Sequence, residues 1–146
     1  MNPSQDTGEA NGLNLLLFSA GGVRFGVDAA QIAGTAAVTN DDAAKPAWMH
    51  ELLEFGDRPV VYREPVILVL GTGGAGRRRV VVDAMEDIIT VPVDEILPLP
   101  PPVESHVLGK GLWGVLPKGG RMILLMDFRL LLKRKTILIP AETPGR

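Results

Sequence analysis

The residues with the most obvious chemical potential lie in VILVLGTGGAGRRRVVVD, positions 66 to 83. Gly71, Gly73 and Gly76 satisfy G-x-G-x-x-G directly after an apolar, strand-like run. In a dinucleotide-binding fold that spacing lets backbone approach a pyrophosphate, and the third glycine opens a helix whose N-terminal amides face it. Asp94 and Glu95 stand near where the ribose-binding acid of that pattern would fall. Gly76, however, is followed by Arg77, Arg78 and Arg79 and then by Val80, Val81 and Val82. Three valines in a row are stiff at χ1 and favour a strand. No amphipathic helix of useful length fits before Pro92. The stretch reads as strand, loop, strand, with GTGGAG as the hairpin loop. Its arginines could clamp a phosphate, so a small-molecule or phosphate-binding β-barrel using loop 71–79 is the alternative reading. The simpler one is a solvated charge run that discourages edge-to-edge pairing.

Other groups offer less. His50-Glu51 begins like H-E-x-x-H, but position 54 is Glu, so the zinc motif fails. His106 is the second of two histidines, and Ser105-His106 adjacency gives no triad geometry in the absence of a G-x-S-x-G elbow. Asp83, Glu86 and Asp87 form an acidic cluster. Paired carboxylates can act as general acid and base, but next to a strand end they more often cap turns. Pro98 to Pro101 make a P-x-x-P element. Such elements dock in aromatic grooves, or simply stiffen a crossover. None of this composes an enzyme site, and no cofactor or metal is implied.

The elements that must position these residues are short. The chain has 146 residues, 46% hydrophobic and 22% charged, with a net charge of −2 and no cysteine. That length fits one compact domain or two very small barrels sharing a core. At that charge balance, non-specific binding to nucleic acid or anionic lipid is not implied. The absence of cysteine excludes disulfides and thiolate chemistry and suits a reducing compartment. With no signal-peptide pattern and no apolar run long enough to span a bilayer, the expectation is a soluble, cytoplasmic protein.

Residues 1 to 12 read as a disordered tail. LLLFSA (15–20) and VRFGV (23–27) read as a hairpin across Gly21-Gly22. Asp28 can cap a short turn before a strand near 34–39. WMHELLEFG (48–56) has helical spacing but is too short to be stable alone. PVVY (59–62), PVILVL (65–70), RRVVVDAM (78–85), DIITVPV (87–93) and EILPL (95–99) follow as β runs, with Pro92 and Pro98 marking ends or edges. GLWGVLP (111–117) and MILLMDF (122–128) read as a final hairpin closed by Lys118-Gly119-Gly120, and RLLLKRK (129–135) as a short helix. Nothing holds helical periodicity for ten residues, so the fold class is all-β, a barrel or sandwich.

The order of these pieces resembles CheW-like domains, the coupling modules of bacterial chemosensory arrays. LLLFSAGGVRFGVDAAQIAG is similar to the family's first hairpin, with Phe18, Phe25, Gly26, Val27, Asp28 and Ile32 where that pattern expects them. RRVVVDAMEDIITVPVDEILPLPPPVESHVLGKGLWGV resembles its second half, and GGRMILLMDFRLLL its closing strand and terminal helix. The resemblance covers residues 13 to 133, leaving 134–146 as an extension that is loose beyond 140. It implies two small intertwined five-stranded SH3-like barrels with one hydrophobic core between them. It also implies a non-catalytic adaptor that binds the regulatory domain of a CheA-type histidine kinase and the cytoplasmic tip of a chemoreceptor.

The middle segment is shorter than the family's. The family's N-L-R-G element is missing from LLEFGDRPVVYREPVILVLG, where Arg58 is the nearest arginine, and Gly34 stands where many members carry an acid. Loss of both members of that charge pair is self-consistent, because one buried charge without its partner is costly. It argues against the ordinary receptor contact. An adaptor needs exposed apolar patches and extended edges instead of a cleft. The candidate partner contacts are Ile32 and Thr35 in the first barrel, and Trp48, Leu52 and Leu53 on the short helical turn. For the last three, plain core packing is the competing explanation. The strand PVVY is a further candidate, as an edge open to augmentation.

Overall fold

Two Gly-Gly pairs each close a tight hairpin. Strands β1 (Gly12–Ala20) and β2 (Val23–Asp28) run antiparallel from the Ala20↔Val23 pair. Gly21 and Gly22 between them have φ of 60° and 83°. A two-residue turn with both φ values positive matches the right-handed twist of its strands, and glycine takes that conformation without strain. The same device, Gly119-Gly120 at 62° and 77°, joins β9 (Leu112–Lys118) to β10 (Arg121–Met126). The turn is thus one residue shorter than Lys118-Gly119-Gly120.

These elements belong to a computed structural model that describes residues 12–39, 46–54, 59–71, 78–99 and 110–132. Asp28 ends β2, and its carboxylate accepts the Ala30 N–H at 2.9 Å to start a 3-10 turn, Ala29–Gln31. Then follow β3 (Ile32–Ala36), β4 (Ala47–Trp48), helix α1 (Met49–Leu52), β5 (Pro65–Leu70) and β6 (Arg78–Asp83). Next come β7 (Ile88–Pro92), a 3-10 turn at Val93–Glu95 and β8 (Leu97–Pro98). A helical turn, α2, covers 128–132. The expected tail, the proline link beyond residue 99 and the 134–146 extension lie outside the described residues.

The ten strands among the described residues join one sheet in the order β3-β5-β6-β1-β2-β10-β9-β8, with β4 on β6 and β7 on β1. β1 carries three neighbours. It pairs with β2 over Leu15–Ala20, with β7 over Gly12–Leu16, and with β6 at Ser19↔Asp83. β1 and β3 to β6 form one small barrel; β2 and β7 to β10 form the other, with β1 bridging them. Because β1 belongs to the first and β2 to the second, the chain interleaves the two barrels. β2 and β10 run parallel, a pairing that needs a long connection, and here the chain from β3 through β9 supplies it.

Alternation along β1 explains the core. Leu16, Phe18 and Ala20 point into a cluster that takes Leu68, Leu70, Val80 and Val82 from the first barrel and Leu112, Val115 and Met126 from the second. Leu15 and Leu17 point the other way, into the second barrel, against Val91, Leu116, Ile123 and Leu125. A strand buried on both faces reads as a continuous apolar run, which is why LLLF shows no alternation. Gly26, opposite Leu17, sits where an added Cβ would lie 3.1 Å from Leu125 Cδ2 and 3.3 Å from Leu17 Cδ2.

Three local expectations change. The third strand occupies 32–36, not 34–39, because Ile32 already pairs with Leu70. The helical segment shrinks to Met49–Leu52, and Trp48 is its extended N-cap residue, paired in β4. PVVY (59–62) is not a strand: it has β-branched residues, but the sheet position beside β6 is taken by β4 and β5.

The last element is locked by a clamp across the chain. Gln31 donates from Nε2 to Asp127 Oδ1 at 3.1 Å and accepts the Phe128 N–H at 2.9 Å. Asp127 caps α2 by accepting the Arg129 N–H at 2.8 Å, and it binds the Arg129 guanidinium at 3.1 Å. Burial alone would raise the Asp127 carboxyl. The hydrogen bonds and charge of Arg129, with Gln31, outweigh it and hold the group below the ordinary aspartate value. A depressed carboxyl stabilises the fold above its unfolded value and loses that contribution as pH falls through the folded one. Asp127→Asn is therefore expected to be less stable than the parent at about pH 7, with the gap closing as pH falls below the ordinary aspartate range. Denaturant midpoints measured across that window check it; a gap independent of pH would refute it.

Candidate functional site

The glycine stretch folds back on itself. β5 and β6 are antiparallel neighbours from Pro65↔Asp83 to Leu70↔Arg78, so the chain reverses direction between Leu70 and Arg78; residues 72–77 lie outside the described residues. Arg78 and Arg79 are strand residues, and no helix begins there to aim amides at a phosphate. Gly71 is tied down by its N–H, which donates to the Gln31 carbonyl at 2.8 Å.

The acidic cluster supports backbone. Asp83 accepts the Arg63 and Glu64 N–H groups on its two carboxylate oxygens, at 3.2 and 2.6 Å. Its carbonyl accepts the Ser19 hydroxyl at 3.1 Å. Glu86 pairs with Arg24 at 2.8 Å, and Asp87 offers its carbonyl to the Leu17 N–H. Each of these contacts positions a turn. Among the described residues no three His, Cys, Asp or Glu side chains converge on a metal-sized site. Ser105, His106 and Arg58 lie outside them.

The candidate contact residues divide into two groups. Ile32 and Thr35 lie on β3, an edge strand paired only with β5 among the described residues. Ile32 is half-buried against the shared core, whereas Thr35 and Ala33 are exposed. A bulge between Ile32 and Gly34 breaks the register. A Cβ built at Gly34 meets nothing within 4 Å, so crowding does not explain the missing acid there. Two strands, β5 and β6, separate this edge from β4 and Trp48 along the sheet. At the end of α1, Leu53 is buried in the shared core and Leu52 packs on it half-buried; before the helix, Trp48 is half-buried. Leu53 thus faces the interior, and an exposed contact in this region falls to Trp48 and its neighbours.

Those neighbours were not legible in the sequence. Tyr62 stands edge-on to Trp48, with centroids 4.9 Å apart, and beside the His50 ring at 5.5 Å. Its hydroxyl accepts the His50 backbone N–H at 3.1 Å and lies 2.9 Å from His50 Nδ1. With a neutral imidazole protonated on Nε2, the phenol donates to Nδ1 and both bonds are satisfied. Burial pushes the phenol up, and the charges of Asp83 and Glu51 add to it. The arrangement staples α1 to segment 59–64, twelve residues away. Tyr62→Phe removes both bonds but keeps the ring, and is expected to cost about 1 kcal/mol. Urea unfolding checks this; an unchanged midpoint would show that the hydroxyl bonds water equally well.

No helix among the described residues is long and apolar enough to cross a membrane. No family model matches the sequence, and no curated protein sequence matches it. The fold does have solved counterparts. The scaffolding protein TtCheW from Thermoanaerobacter tengcongensis superposes with a TM-score of 0.57 at 16% identity, covering 78% of this chain and 88% of that one. The chain has the two-barrel, all-β fold of a CheW scaffolding protein.

Proposed function

We propose that this chain is a non-catalytic adaptor of a bacterial chemosensory system, acting in the cytoplasm and coupling a receptor or sensory partner to a CheA-type histidine kinase. The observation that carries the reading is the likeness to a scaffolding protein over most of both chains. The chemistry-bearing residues support it: Asp83 holds backbone N–H groups, Glu86 pairs with Arg24, and the strands flanking the glycine motif pair antiparallel. The β3 edge, with exposed Ala33 and Thr35 and half-buried Ile32, is the surface we assign to a partner. Titrating the full chain against the regulatory domain of a CheA-type kinase tests the reading. Binding at or below tens of micromolar is expected, weakened by Thr35→Arg and Ile32→Asp. No binding in that range overturns it. Gly34→Glu, for which there is space, asks whether restoring the acid restores contact with a chemoreceptor tip.

A further inference from the structure

We propose that the groove between the β1–β2 turn and segment 59–64 binds an extended peptide that carries an aliphatic residue beside a basic one. The inference is independent of the adaptor reading and of the β3 edge. The groove is open and about 930 Å³ in volume. One wall is the Gly21-Gly22 turn, bare of side chains, and a Cβ built at Gly22 meets no atom within 4 Å. Backbone from a ligand can approach such a wall closely.

The opposite wall is Pro59, Val60 and Val61. Val61 is 75% exposed, more than any other large hydrophobic residue described. Among the described residues, no hydrogen bond joins the backbone of Val60 or Val61 to another residue. Pro59 fixes its own φ, and two successive β-branched residues resist a helical turn. The wall therefore offers unpaired N–H and C=O groups as a sheet edge does, and such groups select an extended partner. An aliphatic side chain on that partner would cover Val61.

The wall is held in place before any ligand arrives. Tyr62 is stapled to His50, and the Arg63 and Glu64 N–H groups are held by Asp83. At the end of the floor, Ala84 donates its N–H to the Glu64 carbonyl at 3.1 Å and adopts φ of 49°, a conformation alanine rarely takes. Preorganisation of this kind lowers the ordering cost of binding. The charges lining the groove are Glu64 and Asp83 against Arg63. The Glu64 carboxylate makes no ion pair with a described residue. The balance is acidic, which favours a basic residue on the peptide and disfavours an acidic one.

The test is an NMR titration of the uniformly labelled full chain with an acetylated, amidated peptide, Thr-Val-Lys-Val-Lys-Thr. We expect shifts confined to the amides of Gly22, Val60, Val61 and Ala84, with half-saturation at about 1 mM or below. Methylating alternate peptide nitrogens should weaken binding at least about fivefold, because it removes the main-chain donors. Replacing both lysines with glutamate should do the same, and added salt should weaken only the lysine peptide. The modified peptides leave the protein unaltered, so no folding defect can mimic the result. Absent shifts, equal binding of the methylated or acidic peptide, or the same amides shifting on dilution of the protein alone would each overturn the proposal. The last outcome would identify a second copy of this chain as the occupant.

Discussion

Replacing Phe18 with alanine is expected to lower the unfolding free energy by about 3–5 kcal/mol. The residue is fully buried two positions before the end of β1, in the cluster shared by both barrels. Its ring stacks on Phe25, directly opposite in the β1–β2 register, with centroids 5.6 Å apart and planes at 23°. It also stacks on Phe128 of α2, at 6.2 Å and 14°. One ring therefore ties the first hairpin to the last helix. Its removal leaves a cavity lined by Phe25, Phe128 and the other side chains of the shared cluster, which their own strands and helical turns hold in place. A domain of this size is stable by roughly 5–15 kcal/mol, so the loss is a large share of the total. Urea denaturation should show a lower midpoint with an unchanged slope. If the alanine variant does not fold, Phe18→Leu keeps most of the volume and should cost about 1–2 kcal/mol. A loss below about 1 kcal/mol for the alanine variant would mean that the ring is not an interior group.

The two Gly-Gly hairpins were legible because their signal is local: apolar runs on either side of two residues that tolerate positive φ. The Asp28 turn was legible for the same reason, as was the β5–β6 hairpin, where three valines settle the question that three glycines raise. PVVY misled because composition cannot say whether a strand finds a neighbour, and here β4 and β5 already flank β6. The candidate site was legible only as positions. That β3 is an edge follows from pairing with β5, more than thirty residues on. Leu52 and Leu53 look alike in sequence, yet a helical step of about 100° turns one to the core and leaves the other half outside. Gln31 reaches Asp127 across 96 residues, and Tyr62 reaches His50 through a hydroxyl that no spacing rule marks. Contacts made by one polar atom over such distances leave no periodic trace.

Gly111→Ala is expected to cost about 2–4 kcal/mol, more than an ordinary glycine substitution. Gly111 has φ of +81°, a left-handed conformation that costs an alanine about 1 kcal/mol. Its surroundings add a second penalty. A Cβ there would lie 2.8 Å from the Asp127 carbonyl oxygen, 3.0 Å from Leu131 Cβ and 3.2 Å from the Leu131 nitrogen. The first and third are backbone atoms, and the Gly111 carbonyl itself accepts the Asp127 N–H at 2.8 Å. Neither side can retreat without breaking the bond that seats α2 on β9. Gly22 provides the control. Its φ is +83°, but a Cβ there meets nothing within 4 Å, so Gly22→Ala should cost only the conformational part, about 1 kcal/mol. The difference between the two variants isolates the steric term from the backbone term. Paired denaturation curves measure it, and amide exchange at Asp127 and Leu131 should quicken in Gly111→Ala alone. Equal costs for the two variants would show that α2 does not press against the start of β9, and that the Gln31–Asp127 clamp closes on a looser joint.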